Sequence, residues 1–152
     1  MRTRTLAPLL SLGLILCAAP LSGQAGSPNT TPTTVTRIVL VKIKPGHAEP
    51  FWADVRQHSK PINDEYKRQG IITNYSVATK STSESADDWN VVFAITYKNW
   101  AALDDLGPRI GPITLAHYGS AAQRTAAFNA RLEHSTLVAS FLVRDQTVNP
   151  WR

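Results

Sequence analysis

Cysteine is nearly absent from the 152-residue sequence, in which Cys17 is the only example. It lies in an N-terminal segment that we expect to be removed, so the mature protein would contain no thiol. This excludes disulfides, thiol nucleophiles and zinc sites built on cysteine. The hydrophobic core alone must therefore hold the fold together.

The sequence also has few features typical of nucleic-acid, metal or cofactor binding. No run of Lys or Arg exceeds two residues, and without Arg2 and Arg4 the chain keeps 14 of its 16 basic residues against 11 acidic ones. We therefore expect no nucleic-acid partner. The histidines at 47, 58, 117 and 134 have no metal-site spacing. No P-loop, serine elbow or dinucleotide fingerprint is present, and we expect neither a metal nor an organic cofactor.

The first 25 residues predict a secretory signal peptide. A basic start precedes an apolar run of 14 residues at 6–19. Gly23 and Ala25 are small residues at the two positions that a signal peptidase recognises. The run is too short for a permanent anchor. Cleavage is expected after Ala25, with Gly23 as second choice. Because Leu16 precedes Cys17, a lipid anchor is not expected. The protein is therefore predicted to be periplasmic or extracellular, with no membrane anchor after cleavage.

Beyond the leader, the sequence predicts one folded domain. Residues 26–34 form a polar segment interrupted by proline and are expected to be a disordered linker. The domain spans residues 35–146, and residues 147–152 are a tail. Strands are expected at 35–44, 71–80, 88–98 and 135–146, and helices at 47–70, 99–107 and 120–134 with Ser120 as N-cap. Residues 108–119 are punctuated by Gly and Pro and are interpreted as a loop that could contain a further helical turn.

This order of elements is β-α-β-β-α-β, with the second helical region split. It predicts an α+β, ferredoxin-like fold, in which an antiparallel sheet carries helices on one face.

The predicted strands are apolar on both faces. A sheet with one solvated face should alternate apolar and polar residues. Something must therefore cover the face without helices, and a second copy of the chain is the simplest answer, which predicts a homodimer. The opposed sets are Val39, Val41 and Ile43 against Ile38 and Leu40; Val91, Phe93 and Ile95 against Val92 and Ala94; and Leu137, Phe141 and Val143 against Val138 and Leu142.

The opening stretch IVLVKIKPGHAEPFWADV, the order of elements and the two-faced strands resemble the dimeric α+β barrel superfamily. That group includes antibiotic-biosynthesis-type monooxygenases, stress-responsive barrel proteins, and related small cyclases and haem-degrading enzymes. The resemblance covers residues 35–145. It implies a pocket for a small ligand between the sheet and the helices, in a protein that often needs neither metal nor organic cofactor.

The long helix carries the first candidate site. Four apolar or aromatic residues and His58 are spaced 4, 3, 4 and 4 residues apart along it and fall within an arc of about 80°. His58 lies inside that arc and should face the sheet, with Asp54 one turn earlier. A carboxylate there would orient the imidazole as a general base. The alternative is a structural histidine bonded to a backbone carbonyl. The arc contains Phe51, Val55, His58, Ile62 and Tyr66.

Pro61 interrupts this helix close to His58. It removes the N–H that would bond the carbonyl of Gln57, and its ring crowds that carbonyl. We expect a kink or a restart that widens the gap against the sheet and forms a pocket edge. The alternative is a plain kink that lets the helix follow the twisted sheet.

Five further residues are candidate substrate-binding contacts. His117 and Tyr118 fall in the expected loop, where polar contacts commonly close a pocket. Tyr75 and Tyr97 fall on strands and could each supply a hydroxyl, while Trp100 begins the short helix. The alternatives are a His–Tyr pair that packs the loop, rim or core tyrosines, and a tryptophan that packs as a staple.

Two classes of function remain open. One is a cofactor-independent, monooxygenase-like enzyme acting on a small apolar or aromatic molecule. His58 would then be the general base, with Tyr75, His117 or Tyr118 orienting the substrate. The other is a non-catalytic exported module that binds a small ligand, or a dimer whose apolar sheet face is interface only.

Overall fold

The computed structural model describes residues 30–148, so the expected signal peptide and its cleavage site lie outside the described residues. The strands are β1 (Thr30–Ile43), β2 (Asn74–Thr79), β3 (Val91–Tyr97) and β4 (Ser135–Val148). The helices are α1 (Ala48–Asp54), α2 (Lys60–Arg68), α3 (Leu106–Tyr118) and α4 (Ala121–His134). A π-helical turn, Val55–Ser59, joins α1 to α2, and a 3-10 turn, Trp100–Leu103, precedes α3.

The four strands form one antiparallel sheet in the order β2-β3-β1-β4. Together with the order of elements along the chain, this is the ferredoxin-like arrangement, and the predicted fold class is confirmed. The first and last strands along the chain are longer than predicted. β1 begins at Thr30, inside the segment expected to be a disordered linker, and β4 continues to Val148 in the expected tail.

The core lies between the helices and one face of the sheet. Phe51 and Val55 of the first helical segment pack on Val41 of β1 and Val91 of β3, and all four side chains are buried. A second cluster joins Ile71, Ile72 and Tyr97 at the other end of the sheet. The residues of β1 and β3 that share this face are ones that the alternating pattern groups together.

The long helix passes its proline without breaking. Instead of bonding the carbonyl four residues earlier, the N–H of Lys60 bonds the carbonyl of Val55, five residues back. This wider turn sits directly before Pro61, which has no N–H to donate to Gln57. The expected kink or restart is thus a π turn. Gly70, with φ of 68°, ends the helical region as predicted.

The interpretation of residues 108–119 as a loop is wrong, because residues 108–118 belong to α3 and Gly119 is its C-cap. Pro108 falls in the first turn, where its missing N–H costs no helical hydrogen bond. Pro112 lies inside the helix. Nearby, the Thr114 hydroxyl donates to the carbonyls of Ile110 and Gly111 at 3.2 and 2.9 Å. The expected short helix at 99–107 is only the 3-10 turn, whereas α4 and its Ser120 cap agree with the prediction, since Ser120 accepts from the Gln123 N–H at 3.1 Å.

The face of the sheet away from the helices is apolar, as the alternating pattern predicts, but β4 needs a correction. The register shifts between Leu40 and Val41. Val41 is therefore opposite Leu137, and Ile38 is opposite Phe141. Because opposed residues share a face, Leu137 points to the helices and Phe141 to the outside, although the simple alternation put them together. The outer face carries Ile38, Leu40, Val92, Ala94, Phe141 and Val143.

Within residues 30–148, no helix is both long enough and apolar enough to cross a membrane.

Candidate functional site

A cavity of about 350 Å³ lies between the helix-facing side of the sheet and the helices. Its walls are mainly apolar, and its polar groups come from the first helical region, α4 and the start of β4. The apolar lining is Val39, Val41, Phe51, Val55, Phe93, Ile95, Phe128, Leu132 and Leu137. The polar lining is Asp54, Ser59, Asn63, Arg131 and Ser135. The cavity occupies the place that the superfamily resemblance implies for a ligand pocket.

The main polar feature of the cavity is an ion pair between Asp54 of α1 and Arg131 of α4. The Arg131 Nε donates to one carboxylate oxygen at 2.7 Å, and its Nη2 donates to the other at 3.2 Å. The Asp54 side chain is 12 % exposed and that of Arg131 is 32 % exposed. Burial acts against the charge of Arg131, but Asp54 and, to a smaller extent, Tyr118 raise its pKa on balance. The pair places a fixed, charge-balanced polar group in an apolar wall.

Arg131 was not identified as a site residue from the sequence. It lies 77 residues from Asp54, and no local spacing connects a residue near the end of α4 with one at the end of α1. The signal that could have found it is a basic residue in the last turn of the helix that leads into the last strand. That signal is weak without the tertiary structure.

His58 does not form the expected hydrogen bond with Asp54, whose two oxygens are engaged by Arg131. His58 instead bonds His117 of α3, with 3.0 Å between its Nδ1 and the Nε2 of His117. Tyr118 lies against both rings, at centroid distances of 5.0 and 4.9 Å. The predicted candidates His58, His117 and Tyr118 are therefore brought together, but in an arrangement different from the expected dyad.

The electrostatics of this cluster favour a neutral His58. Burial lowers the pKa of His58, the nearby charge of Asp54 raises it, and His117 and Arg131 lower it, with a net decrease. A hydrogen bond between two ring nitrogens also needs one nitrogen without a proton. His58 can therefore act as a base near neutral pH, with His117 as its bonded neighbour.

His58 does not line the cavity against the sheet, because the π turn changes which residues face inward. In a π turn the carbonyl and its N–H partner are five residues apart, so the inward face advances by about one residue. Ser59 and Asn63, rather than His58, accordingly line the cavity. The expectation that His58 faces the sheet is therefore wrong. On the other side of the helix, His117 and Pro61 border a groove of about 550 Å³ between α2 and α3.

The other predicted binding residues lie apart from both places. The Tyr75 hydroxyl donates to Asp64 on the surface. Tyr97 is buried in the second core cluster, and burial raises its pKa. Trp100 is 46 % exposed, with the Arg144 guanidinium over its ring at 5.5 Å. In the part of the chain that the structure describes, no group of three His, Cys, Asp or Glu side chains could hold a metal ion.

No protein-family model matches the sequence, and comparison with curated proteins finds no match. Among solved structures, the chain is similar to HapK from Hahella chejuensis, with 12 % identity and a TM-score of 0.48 over 78 % of this chain and 97 % of that one. It is similar to a dimeric ferredoxin-like protein from an uncultured marine organism, with 13 % identity and a TM-score of 0.46 over 80 % and 100 %. It is also similar to a dimeric protein of unknown function and ferredoxin-like fold from Bacteroides fragilis, with 15 % identity and a TM-score of 0.41 over 75 % and 96 %.

Proposed function

We propose that the protein binds a small, mainly apolar or aromatic molecule in the cavity between the sheet and the helices, as an exported homodimer that needs no organic cofactor. The observation that carries this proposal is the cavity itself, with apolar walls and one ion pair. Its volume of about 350 Å³ lies in the range of small-molecule pockets, which combine apolar linings with a few placed polar groups.

The polar groups of the cavity indicate what the ligand should carry. Asp54 and Arg131 neutralise each other, so the site favours a neutral polar group over a net charge. The Asn63 amide donates to the Ser59 carbonyl at 2.8 Å, and its amide oxygen is an acceptor that remains for a ligand hydroxyl. A phenol or an alcohol on an aromatic or alicyclic frame satisfies these requirements.

The dimer part of the proposal rests on the outer face of the sheet. Phe141 and Val143 on that face are 46 % and 36 % exposed, and they continue an apolar surface across β1 and β3. A contiguous apolar sheet face of this kind is typical of an association site. A second copy of the chain covers this face, and the same residues then contribute from both copies. Export is proposed from the leader sequence.

The catalytic alternative is a cofactor-independent, monooxygenase-like enzyme in which a histidine removes a proton from the bound molecule. The observation that favours it is the His58–His117 hydrogen bond beside the groove between α2 and α3. Binding without catalysis is preferred, since His58 lies outside the lining of the sheet cavity.

The test uses 1-naphthol as the probe and two matched Leu→Trp variants. Leu137 lines the cavity and is 58 % exposed, so a tryptophan there fills the cavity without overpacking the core. Leu115 is 44 % exposed on α3 and does not line the cavity. Leu137→Trp should weaken naphthol binding about tenfold or more, a change of about 1.4 kcal/mol. Leu115→Trp should leave the binding unchanged, and equal binding by both variants would contradict the proposal.

Oxygen uptake separates the two functions. With a panel of phenols, the binding protein should consume no O₂ above the buffer rate, and His58→Gln should keep its affinity for 1-naphthol. An uptake of O₂ that the wild type shows and His58→Gln loses would favour the enzyme.

A further inference from the structure

The two remaining histidines form a second close pair, although their separation in the sequence fits no metal-site spacing. His47 lies immediately before α1, and His134 is the last residue of α4. Their Nδ1 atoms are 3.1 Å apart and their ring centroids 5.3 Å apart. Both residues are half-buried. The pair lies at the end of the helix layer and is separate from the cavity lining and from His58.

The backbones of the two histidines are tied to the same residue, Lys44. The Lys44 N–H donates to the carbonyl of His134 at 3.0 Å, and the His47 N–H donates to the carbonyl of Lys44 at 3.0 Å. The His47 carbonyl also accepts the Phe51 N–H at 3.1 Å, which fixes it at the start of α1. The two imidazoles are thus held close by three backbone hydrogen bonds. His58 and His117 have no such backbone link within the described residues.

The spacing of these nitrogens matches two neighbouring ligands of one metal ion. Histidine nitrogens bind first-row transition metals at about 2.0–2.1 Å, so an ion bound to both nitrogens at their separation of 3.1 Å would subtend an angle of about 98°. That angle lies between the square-planar and tetrahedral values. Imidazole is a favoured ligand of copper, nickel and zinc. We propose that His47 and His134 form a binding site for a divalent first-row transition-metal ion, with Cu²⁺ bound most tightly.

Binding replaces the hydrogen bond between the rings by two metal–nitrogen bonds. In a neutral pair one ring carries its proton on Nδ1, and this proton moves to Nε2 when the metal takes the Nδ1 lone pair. A modest turn of each ring brings both lone pairs onto the ion. No net proton is released from the neutral pair. The remaining positions of the ion stay open to water or to small ligands.

One charged neighbour opposes the ion. The Lys44 side chain lies close by, with its Nζ donating to the Leu132 carbonyl at 2.8 Å. Its positive charge lowers the affinity, so Lys44→Gln should strengthen Cu²⁺ binding. In the described residues no third His, Cys, Asp or Glu completes the site, and the bound ion should exchange readily.

The experiment titrates the full mature chain with Cu²⁺ and with Zn²⁺ and follows binding by calorimetry. The variants are chosen to keep the fold: Asn is a good N-cap in His47→Asn, and Gln suits the last helical turn in His134→Gln. Each should weaken Cu²⁺ binding about tenfold or more, because one of two ligands is lost. Glu133→Asp is the matched control next to the site; it keeps the charge and should keep the wild-type affinity. Zn²⁺ should bind more weakly than Cu²⁺.

Paramagnetic broadening locates the ion. Substoichiometric Cu²⁺ should broaden the amide NMR signals of residues 44–48 and 132–135 in the wild type and should not do so in His47→Asn. Broadening confined to the surroundings of His58 and His117, or Cu²⁺ affinity unchanged in both His47→Asn and His134→Gln, would overturn the proposal. Retained circular dichroism of the variants shows that a loss of binding is not a loss of fold.

Discussion

The ion pair between Asp54 and Arg131 should be the most sensitive polar contact in the protein. Arg131→Met keeps most of the side-chain volume but leaves the Asp54 carboxylate, 12 % exposed, without its partner. Breaking a fully buried pair costs about 3–5 kcal/mol. Because Arg131 is 32 % exposed, water compensates part of this loss, and we expect a decrease of about 2–3 kcal/mol in the free energy of unfolding.

Urea denaturation of the wild type and three variants measures this effect. With an m-value of about 1–3 kcal/mol/M, Arg131→Met should lower the midpoint by about 1–2 M. Replacing both partners, as Asp54→Asn with Arg131→Met, should recover at least half of the loss, because no unpaired carboxylate remains. Asp54→Asn alone completes the double-mutant cycle. A loss below about 0.5 kcal/mol for Arg131→Met, or a double variant less stable than both single variants, would refute the reasoning.

Three further outcomes are expected. Phe51→Ala should lower the free energy of unfolding by about 3–5 kcal/mol, since Phe51 is 2 % exposed. Phe128→Ala, at a position that is 55 % exposed, should lower it by less than about 1 kcal/mol. Urea midpoints measure both changes, and equal losses would contradict the core assignment. Phe141→Glu on the outer sheet face should convert a dimer into a monomer in light scattering, while Leu115→Glu should remain dimeric; a monomeric wild type would contradict the proposed association. Burial lowers the pKa of His58 in the folded protein. At pH values between this lowered pKa and the unfolded value of about 6.5, the unfolded chain binds more protons than the folded protein. The free energy of unfolding therefore decreases as the pH falls. His58→Gln should therefore lose less stability than the wild type between pH 7.5 and pH 5.5, and an identical loss would exclude His58 as the cause.

The fold could be predicted because its signals are local and repeated. The alternation along β1 and β3 comes from the period of two in a strand, and the long helix follows from the helical spacing of its inward residues. The order of the elements then leaves few topologies. The same alternation failed in β4, where one bulge moves Leu137 to the helix side. A bulge depends on pairing with a distant strand, and nothing in the residues of β4 announces it.

The site was less predictable, because it depends on small shifts and distant contacts. A regular helix puts His58 on the sheet-facing arc, but the π turn before Pro61 puts Ser59 there. Prolines and glycines suggested a loop for residues 108–119, although the prolines occupy helical positions that α3 tolerates. The partners of Asp54 and His58, which are Arg131 and His117, lie on other helices. Asp54 was predicted to contact His58, but in the structure its carboxylate pairs with Arg131.

The pairing of β1 with β4 joins the beginning and the end of the described chain. Thr30 lies opposite Val148, and Ile43 lies opposite Ser135. Contacts between residues so far apart in sequence raise the contact order. Folding is then slower, because the chain loses conformational entropy before the contacts between the strands form. During synthesis β1 emerges first and can complete its pairing only when β4 has been made. Until then one side of β1 is an open strand edge of apolar character, and the nascent chain is most exposed to aggregation in that interval.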